Sequence, residues 1–269
     1  MGHHVKEYFC QSSNDAPRGN FHKVIALHDS PHVRWESISQ LAPDLCKGWY
    51  ELARLNPRDR IQFTHDFWLS KLPYHPKFDT FLANFFDSLE EIGVFIVQKK
   101  FDDPYQTNLV YSLKGDVGFF RGALPVSEEE ILNIEKTFPS FILPSDYLAF
   151  LRIHNGFCKA TDCTGITPST QVKDLYQNFQ ALIQQEGPVT TTKGTIIDPK
   201  TLIPFYESFG MPFFQCFWAE WYPEQEMGNV YYSGLTKSIS DVESSDSPSE
   251  TMAFPTFTDW LMFYMEQIE

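Results

Sequence analysis

The chain lacks most of the local signatures by which catalysis is read from sequence. Among its 269 residues there is no G-x-x-x-x-G-K-[ST], no G-x-G-x-x-G after a strand, no G-x-S-x-G and no H-E-x-x-H. No phosphate cradle, dinucleotide turn, nucleophile elbow or zinc-protease helix is therefore visible. The five cysteines, Cys10, Cys46, Cys158, Cys163 and Cys216, are odd in number and scattered, which reads as reduced thiols in a cytoplasmic protein rather than a disulfide framework. The start MGHHVKEYFCQSSND has no apolar h-region, and no run approaches the ~18 apolar residues of a membrane span. Basic residues are nearly missing from one end. Residues 206–269 carry 11 acids and 1 base, against 9 and 6 in 123–205 and 15 and 14 in 1–122. Most of the net charge of −14 thus sits in the last quarter, where it repels nucleic-acid phosphate and anionic lipid and attracts basic proteins.

What is present is an aromatic, folded chain: 25 Phe, 12 Tyr and 6 Trp within 42% hydrophobic residues argue against disorder. The best-signalled stretch is Ser127–Gly156. Ser127 and Glu130 are spaced as a capping box, three acids open the helix, and Ile131, Ile134 and Phe138 share a face that Pro139 closes. After Phe141-Ile142-Leu143-Pro144, Ser145 is placed to cap a second helix in which Tyr147, Phe150, Leu151 and His154 recur at helical spacing, with Asn155-Gly156 as its stop. The expected unit is two helices, 127–138 and 145–155.

The segment L-P-x-D-Y-x-x-F-L-x-x-x-N-G, here Leu143-Pro144-Ser145-Asp146-Tyr147 through Phe150-Leu151 to Asn155-Gly156, resembles the SMI1/KNR4 superfamily, usually called SUKH. Leu202-Ile203-Pro204-Phe205, Gly228-Asn229-Val230-Tyr231 and Phe257-Thr258-Asp259-Trp260-Leu261 follow in the order found in such domains. Phe157 stands where many relatives have a second glycine. The resemblance covers about 123–269. It implies an α+β, SUKH-like domain of helices on an antiparallel sheet, with Leu143, Pro144, Asp146, Tyr147, Phe150, Leu151, Asn155, Gly156, Pro204, Phe205, Trp260 and Leu261 mainly structural. It also implies a non-enzymatic role without cofactor or metal, as an immunity protein that sequesters a toxin or as a regulatory scaffold.

Residues 1–122 match no family by inspection and are expected as a mostly helical extension ending in a β-hairpin. Val24–Leu27 reads as a short strand among loops, Trp35–Leu55 as a helix broken by Pro43, and Ile61–Leu72 as a helix ended by Pro73. A stripe from Phe78 to Ile92 predicts a helix over 77–92 stopped by Gly93, before strands at 94–97 and 108–111 and a third at 119–122. No linker separates the halves at Gly122–Pro125, which leaves one continuous sheet open. Beyond the helix pair, 158–167 reads as a loop and a helix begins at Pro168. Strands are expected at 195–197, 202–206, 213–221 and 230–232, with a mobile acidic loop at 238–251. A last helix, capped by Thr256 and Asp259, buries Phe257, Trp260, Leu261, Tyr264 and Ile268, and the helices lie on one side of the sheet.

Three constellations invite chemistry. His154 and Cys158 are spaced as a base and thiol, but Asn155-Gly156 interrupts the helix between them. Cys158 and Cys163 form at most half a metal site. Glu220, Glu224 and Glu226 lie among Trp218, Trp221 and Tyr222, where solvated acids at a turn are commoner than a paired-carboxylate site. The same six residues suit a basic protein partner, with rings as anchors and carboxylates as steering charge; a core strand with an acidic turn is the alternative. The rival to a binding module is an enzyme whose site uses His65-Asp66 or His28-Asp29.

Overall fold

The computed structural model describes residues 1–11, 19–162, 164–208, 212–244 and 246–266, and the chain divides into two compact units, one over Met1–Pro125 and a second from Val126 onward. No helix among the described residues is long and apolar enough to cross a membrane.

The first unit opens with α1 (His3–Tyr8), where a loop was expected. Its single buried residue, Val5, and the following Phe9, stacked on Phe95 at 4.1 Å, anchor a helix too short to form on propensity alone. Then come β1 (Lys23–Ala26), α2 (Trp35–Leu41), α3 (Lys47–Leu52) and α4 (Pro57–Lys71), whose cap Asn56 accepts the Asp59 N–H at 3.0 Å. The next helix, α5 (Phe78–Asp87), stops short of Ile92. Leu89 and Ile92 belong instead to β2 (Leu89–Gln98), which is hydrogen-bonded on one side to β1 and on the other to β3 (Gln106–Leu113). Two ladders around a β-branched run outweigh a continued helical stripe. Gly93 is therefore no helix stop; it lies mid-strand, where a Cβ would stand 2.6 Å from the His28 ring. The last strand, β4 (Phe119–Ala123), completes an antiparallel order β1-β2-β3-β4. Trp68, Phe85, Tyr111 and Phe120 fill the core, and the Trp68 indole N–H donates to the Tyr111 hydroxyl at 3.0 Å.

The second unit starts with α6 (Glu128–Thr137), whose capping box is formed: the Glu130 N–H donates to Ser127 Oγ at 3.2 Å and the Ser127 N–H to Glu130 Oε2 at 2.8 Å. The following α7 (Ser145–Leu151) is shorter than the expected 145–155, and Pro144 rather than Ser145 is its cap. The Arg152 and Ile153 N–H groups donate three residues back, which tightens the last turn and ends the helix, and Gly156 at φ +106° turns the chain onward. The expected 158–167 loop contains β5 (Phe157–Lys159) and β6 (Gly165–Ile166). Past Pro168, α8 (Val172–Glu186) starts only at Val172, and the strand expected at 195–197 is replaced by β7 (Thr190–Thr191), to which Ile196 makes a single bridge.

There follow β8 (Leu202–Glu207), β9 (Phe213–Trp218), β10 (Asn229–Ser233), β11 (Ser238–Ile239), α9 (Pro248–Thr251), β12 (Ala253–Phe254) and α10 (Phe257–Glu266). The 238–251 stretch thus carries two elements, and Ser240 is buried with its hydroxyl donating to the Met252 carbonyl at 3.0 Å. Ser245, Cys163 and Ile268 lie outside the described residues. Within this unit the strand order is β5-β6-β8-β9-β10-β11-β7, antiparallel except for β11–β7, with β12 on β10. Helices cover both faces rather than one. Along β9, Phe214, Cys216 and Trp218 join a core with Phe179 and Ile183 of α8, whereas Phe217 meets Tyr147 of α7 at 5.1 Å and Phe257 of α10 at 6.4 Å. The alternating directions of strand side chains divide one apolar run between two cores.

Candidate partner-binding surface

The acidic aromatic stretch begins where β9 ends, at Trp218 rather than at the expected Trp221. The Trp218 N–H donates to the Gly228 carbonyl at 3.0 Å, and the Gly228 N–H donates to the Trp221 carbonyl at 2.9 Å. The loop over 219–227 is tied at its neck by these bonds. Gly228 must be glycine, because a Cβ there would run into the Trp221 ring. A third tie is remote in sequence: Glu226 Oε2 accepts the Ser145 N–H at 2.9 Å, at the start of α7.

Between the ties, Glu220, Tyr222 and Glu224 are exposed, Tyr222 at 51%. Trp218 is a core residue, 8% exposed, and Trp221 is half-buried against the same cluster. The six candidate residues thus separate into three that face outward, one that fastens the loop and two rings beneath it. Trp218 as a surface anchor is corrected by this placement: α8 and the sheet close over it.

The motif residues build the support. Asp146 Oδ1 accepts the Tyr147 N–H at 2.8 Å, while Oδ2 accepts the N–H and the hydroxyl of Thr258 at 2.8 and 3.0 Å. One carboxylate therefore satisfies first-turn donors of both α7 and α10. Burial pushes this carboxyl up, the Thr258 donors pull it down and the charge of Glu226 adds to the rise. Leu143, Pro144, Tyr147, Phe150, Leu151, Pro204, Phe205, Trp260 and Leu261 are buried, with Phe205 stacked on Phe217 at 4.3 Å and edge-on to Trp260 at 4.8 Å. Asn155 holds the chain after Gly156 by accepting the Ser169 N–H at 2.6 Å and donating to its hydroxyl at 2.9 Å.

A family model described as SMI1 / KNR4 family (SUKH-1) matches residues 125–262, just over half of the chain. The chain belongs to the SMI1/KNR4 family. No curated protein and no solved structure matches it.

Within the SMI1/KNR4 domain the thiol-based candidates centre on His154 and Cys158, and Cys163, the second half of the metal pair, lies outside the described residues. His154 is buried beyond the end of α7 with its ring stacked on Phe157 at 5.5 Å, and Cys158 is a buried residue of β5. Among the described residues no group of three His, Cys, Asp or Glu is placed to hold a metal. In the first unit, His28 Nε2 lies 3.7 Å from Asp29 and His65 Nδ1 4.0 Å from Asp66, each pairing with its own neighbour in sequence.

Sequence reasoning missed Lys193, Asp241 and Glu243. The Lys193 ammonium lies 2.7 Å from Glu243 and 3.7 Å from Asp241, and the Glu243 hydrogen bond raises its pKa. No local signal marks it, since residues 187–201 hold Lys193 and Lys200 against Asp198 alone. What brings it to these acids is the parallel pairing of β7 with β11, which no local pattern encodes.

Proposed function

We propose that this chain is a non-enzymatic protein-binding module that takes a basic protein partner, as an immunity protein or a regulatory scaffold. The observation that carries the reading is the 219–227 loop, fastened through Trp218, Gly228 and Ser145 while Glu220, Tyr222 and Glu224 face outward. A loop held in advance loses little freedom on binding, so an exposed tyrosine among carboxylates can act as anchor and steering charge together. The acidic last quarter extends the field that draws a basic surface and repels nucleic acid and anionic membrane. The module works without cofactor, in the cytoplasm, where its free cysteines stay reduced.

The test is capture by the purified chain from its native cell, with mass spectrometry of what is retained. Recovery of a basic protein that is lost with Glu220→Gln/Glu224→Gln supports the reading. Partners without a basic surface, or capture indifferent to those substitutions, overturn it.

A further inference from the structure

The turn between β2 and β3 holds an aromatic ring out in water among lysines. Phe101 stands 74% exposed there after the exposed Lys99 and Lys100, and the His22 ring lies edge-on to it at 5.3 Å. Lys23 of β1 reaches over the neighbouring Tyr105 ring at 5.9 Å. The turn is fixed in advance. Gln98 is buried, and its amide donates to the Phe101 carbonyl at 2.7 Å and the Asp103 carbonyl at 2.9 Å, while the Asp103 carboxylate accepts the Lys100 N–H at 3.1 Å. Asp103 thus serves the backbone. Asp102 is the one exposed acid of the turn, against Lys23, Lys99 and Lys100, none of which has a carboxylate partner among the described residues. A turn already held in place gives up little freedom on docking, and docking removes its phenylalanine from water.

Charge indicates what covers it. The 219–227 loop is its counterpart in sign and in kind, with Tyr222 exposed between Glu220 and Glu224 and no base in the loop. Both surfaces are open in one chain, so a second copy offers each of them its complement. We propose that the Phe101 turn of one copy docks on the acidic Tyr222 loop of a second copy, Phe101 against Tyr222 and the lysines against Glu220 and Glu224. Two different patches meet, so the contact is heterologous and repeats from copy to copy. Two copies at −14 each repel at a distance, but at ~0.15 M salt the field reaches only about 8 Å, which spares contact pairs and screens most of the rest. The inference rests on the protein-binding reading and names a partner for the same loop, one with which a foreign basic protein competes.

Sedimentation equilibrium of the full chain at ~0.15 M salt tests it. A contact between two short turns lies at the weak end of interfaces, so the range runs up to ~0.5 mM chain. The average mass should climb with concentration beyond that of one copy and fall back at about 1 M salt, where screening reaches contact distance. Lys99→Gln/Lys100→Gln/Phe101→Ser should be monomeric, and so should Glu220→Gln/Tyr222→Ser/Glu224→Gln. All six side chains are exposed, so both variants should melt near the wild-type temperature. Each variant keeps the half that the other lacks, and an equimolar mixture should therefore form a two-chain complex and nothing larger. A wild-type chain that stays monomeric throughout overturns the proposal, as does self-association that survives in either variant, or a mixture that stays monomeric. The protein-binding reading is judged separately: a monomeric wild-type chain that still captures a basic protein through Glu220 and Glu224 overturns only the second copy as its partner.

Discussion

Two buried polar groups make opposite demands at the scale of single residues. The Tyr147 ring is enclosed by Phe205, Phe217 and Phe257 at 5.1–5.9 Å between centroids, and its hydroxyl has no hydrogen-bond partner among the described residues. Burial pushes that phenol far up, so it stays neutral and simply forfeits its bonds to water. Tyr147→Phe is therefore expected to leave stability unchanged or raise it by about 1 kcal/mol in urea unfolding; a clear loss would reveal an acceptor for the hydroxyl. His28 is the contrary case, because it can be forced to charge. Burial lowers its pKa more than Asp29, the Val94 carbonyl and Glu91 raise it, and Arg60 lowers it further. A histidine held neutral in the fold binds fewer protons than in the unfolded chain, so stability falls as pH drops below ~6.5 and goes on falling toward the native pKa. His28→Gln should flatten the slope of unfolding free energy between about pH 7 and 5. If the slope persists in that variant, another group carries it.

At the scale of elements, α7 and α10 depend on one carboxylate and one ring. Removing Asp146 strands the Tyr147 N–H and both Thr258 donors in a buried place. Asp146→Ala is expected to cost about 2–4 kcal/mol, and Asp146→Asn less, because the amide keeps an acceptor oxygen for Thr258. Equal losses for the two variants would show that charge rather than acceptance matters. Phe150 is fully buried between His154, Phe157 and Phe257, so Phe150→Ala should cost about 3–5 kcal/mol. These elements also show what was legible beforehand. The start of α6 was readable because a capping box is complete within four residues, and the cap of α10 for the same reason: the Asp259 N–H donates to Thr256 Oγ1 at 3.0 Å. The ends of α5 and α7 were not, since they are decided by partners distant in sequence: β1 and β3 claim Leu89–Gln98, and a tightened turn buries Ile153 and His154. The candidate surface was half legible. Glu220, Tyr222 and Glu224 followed from local composition, but the burial of Trp218 followed from α8, and the tie from Glu226 to Ser145 spans 81 residues.

At the scale of the whole molecule the net charge of −14, concentrated after residue 206, predicts kinetics rather than affinity. A field acts on an approaching partner over roughly 10 Å at 0.1 M salt, before any contact forms. Glu220→Gln/Glu224→Gln/Glu226→Gln should lower the association rate with the captured partner, most at low salt, and leave dissociation nearly unchanged. Stability should hardly move, because Glu220 and Glu224 are solvated and the amide introduced by Glu226→Gln retains an oxygen to accept the Ser145 N–H. Tyr222→Ala should do the reverse, raising the dissociation rate while association holds, since an exposed ring contributes only after contact. Trp221→Ala is a third kind of change: its ring fills the space against Gly228 and the core, so its loss should loosen the loop and lower the melting temperature. Stopped-flow binding at two salt concentrations, beside thermal melts of each variant, separates the three. Association rates untouched by the triple substitution would remove the acidic loop as the steering surface, whatever the partner proves to be.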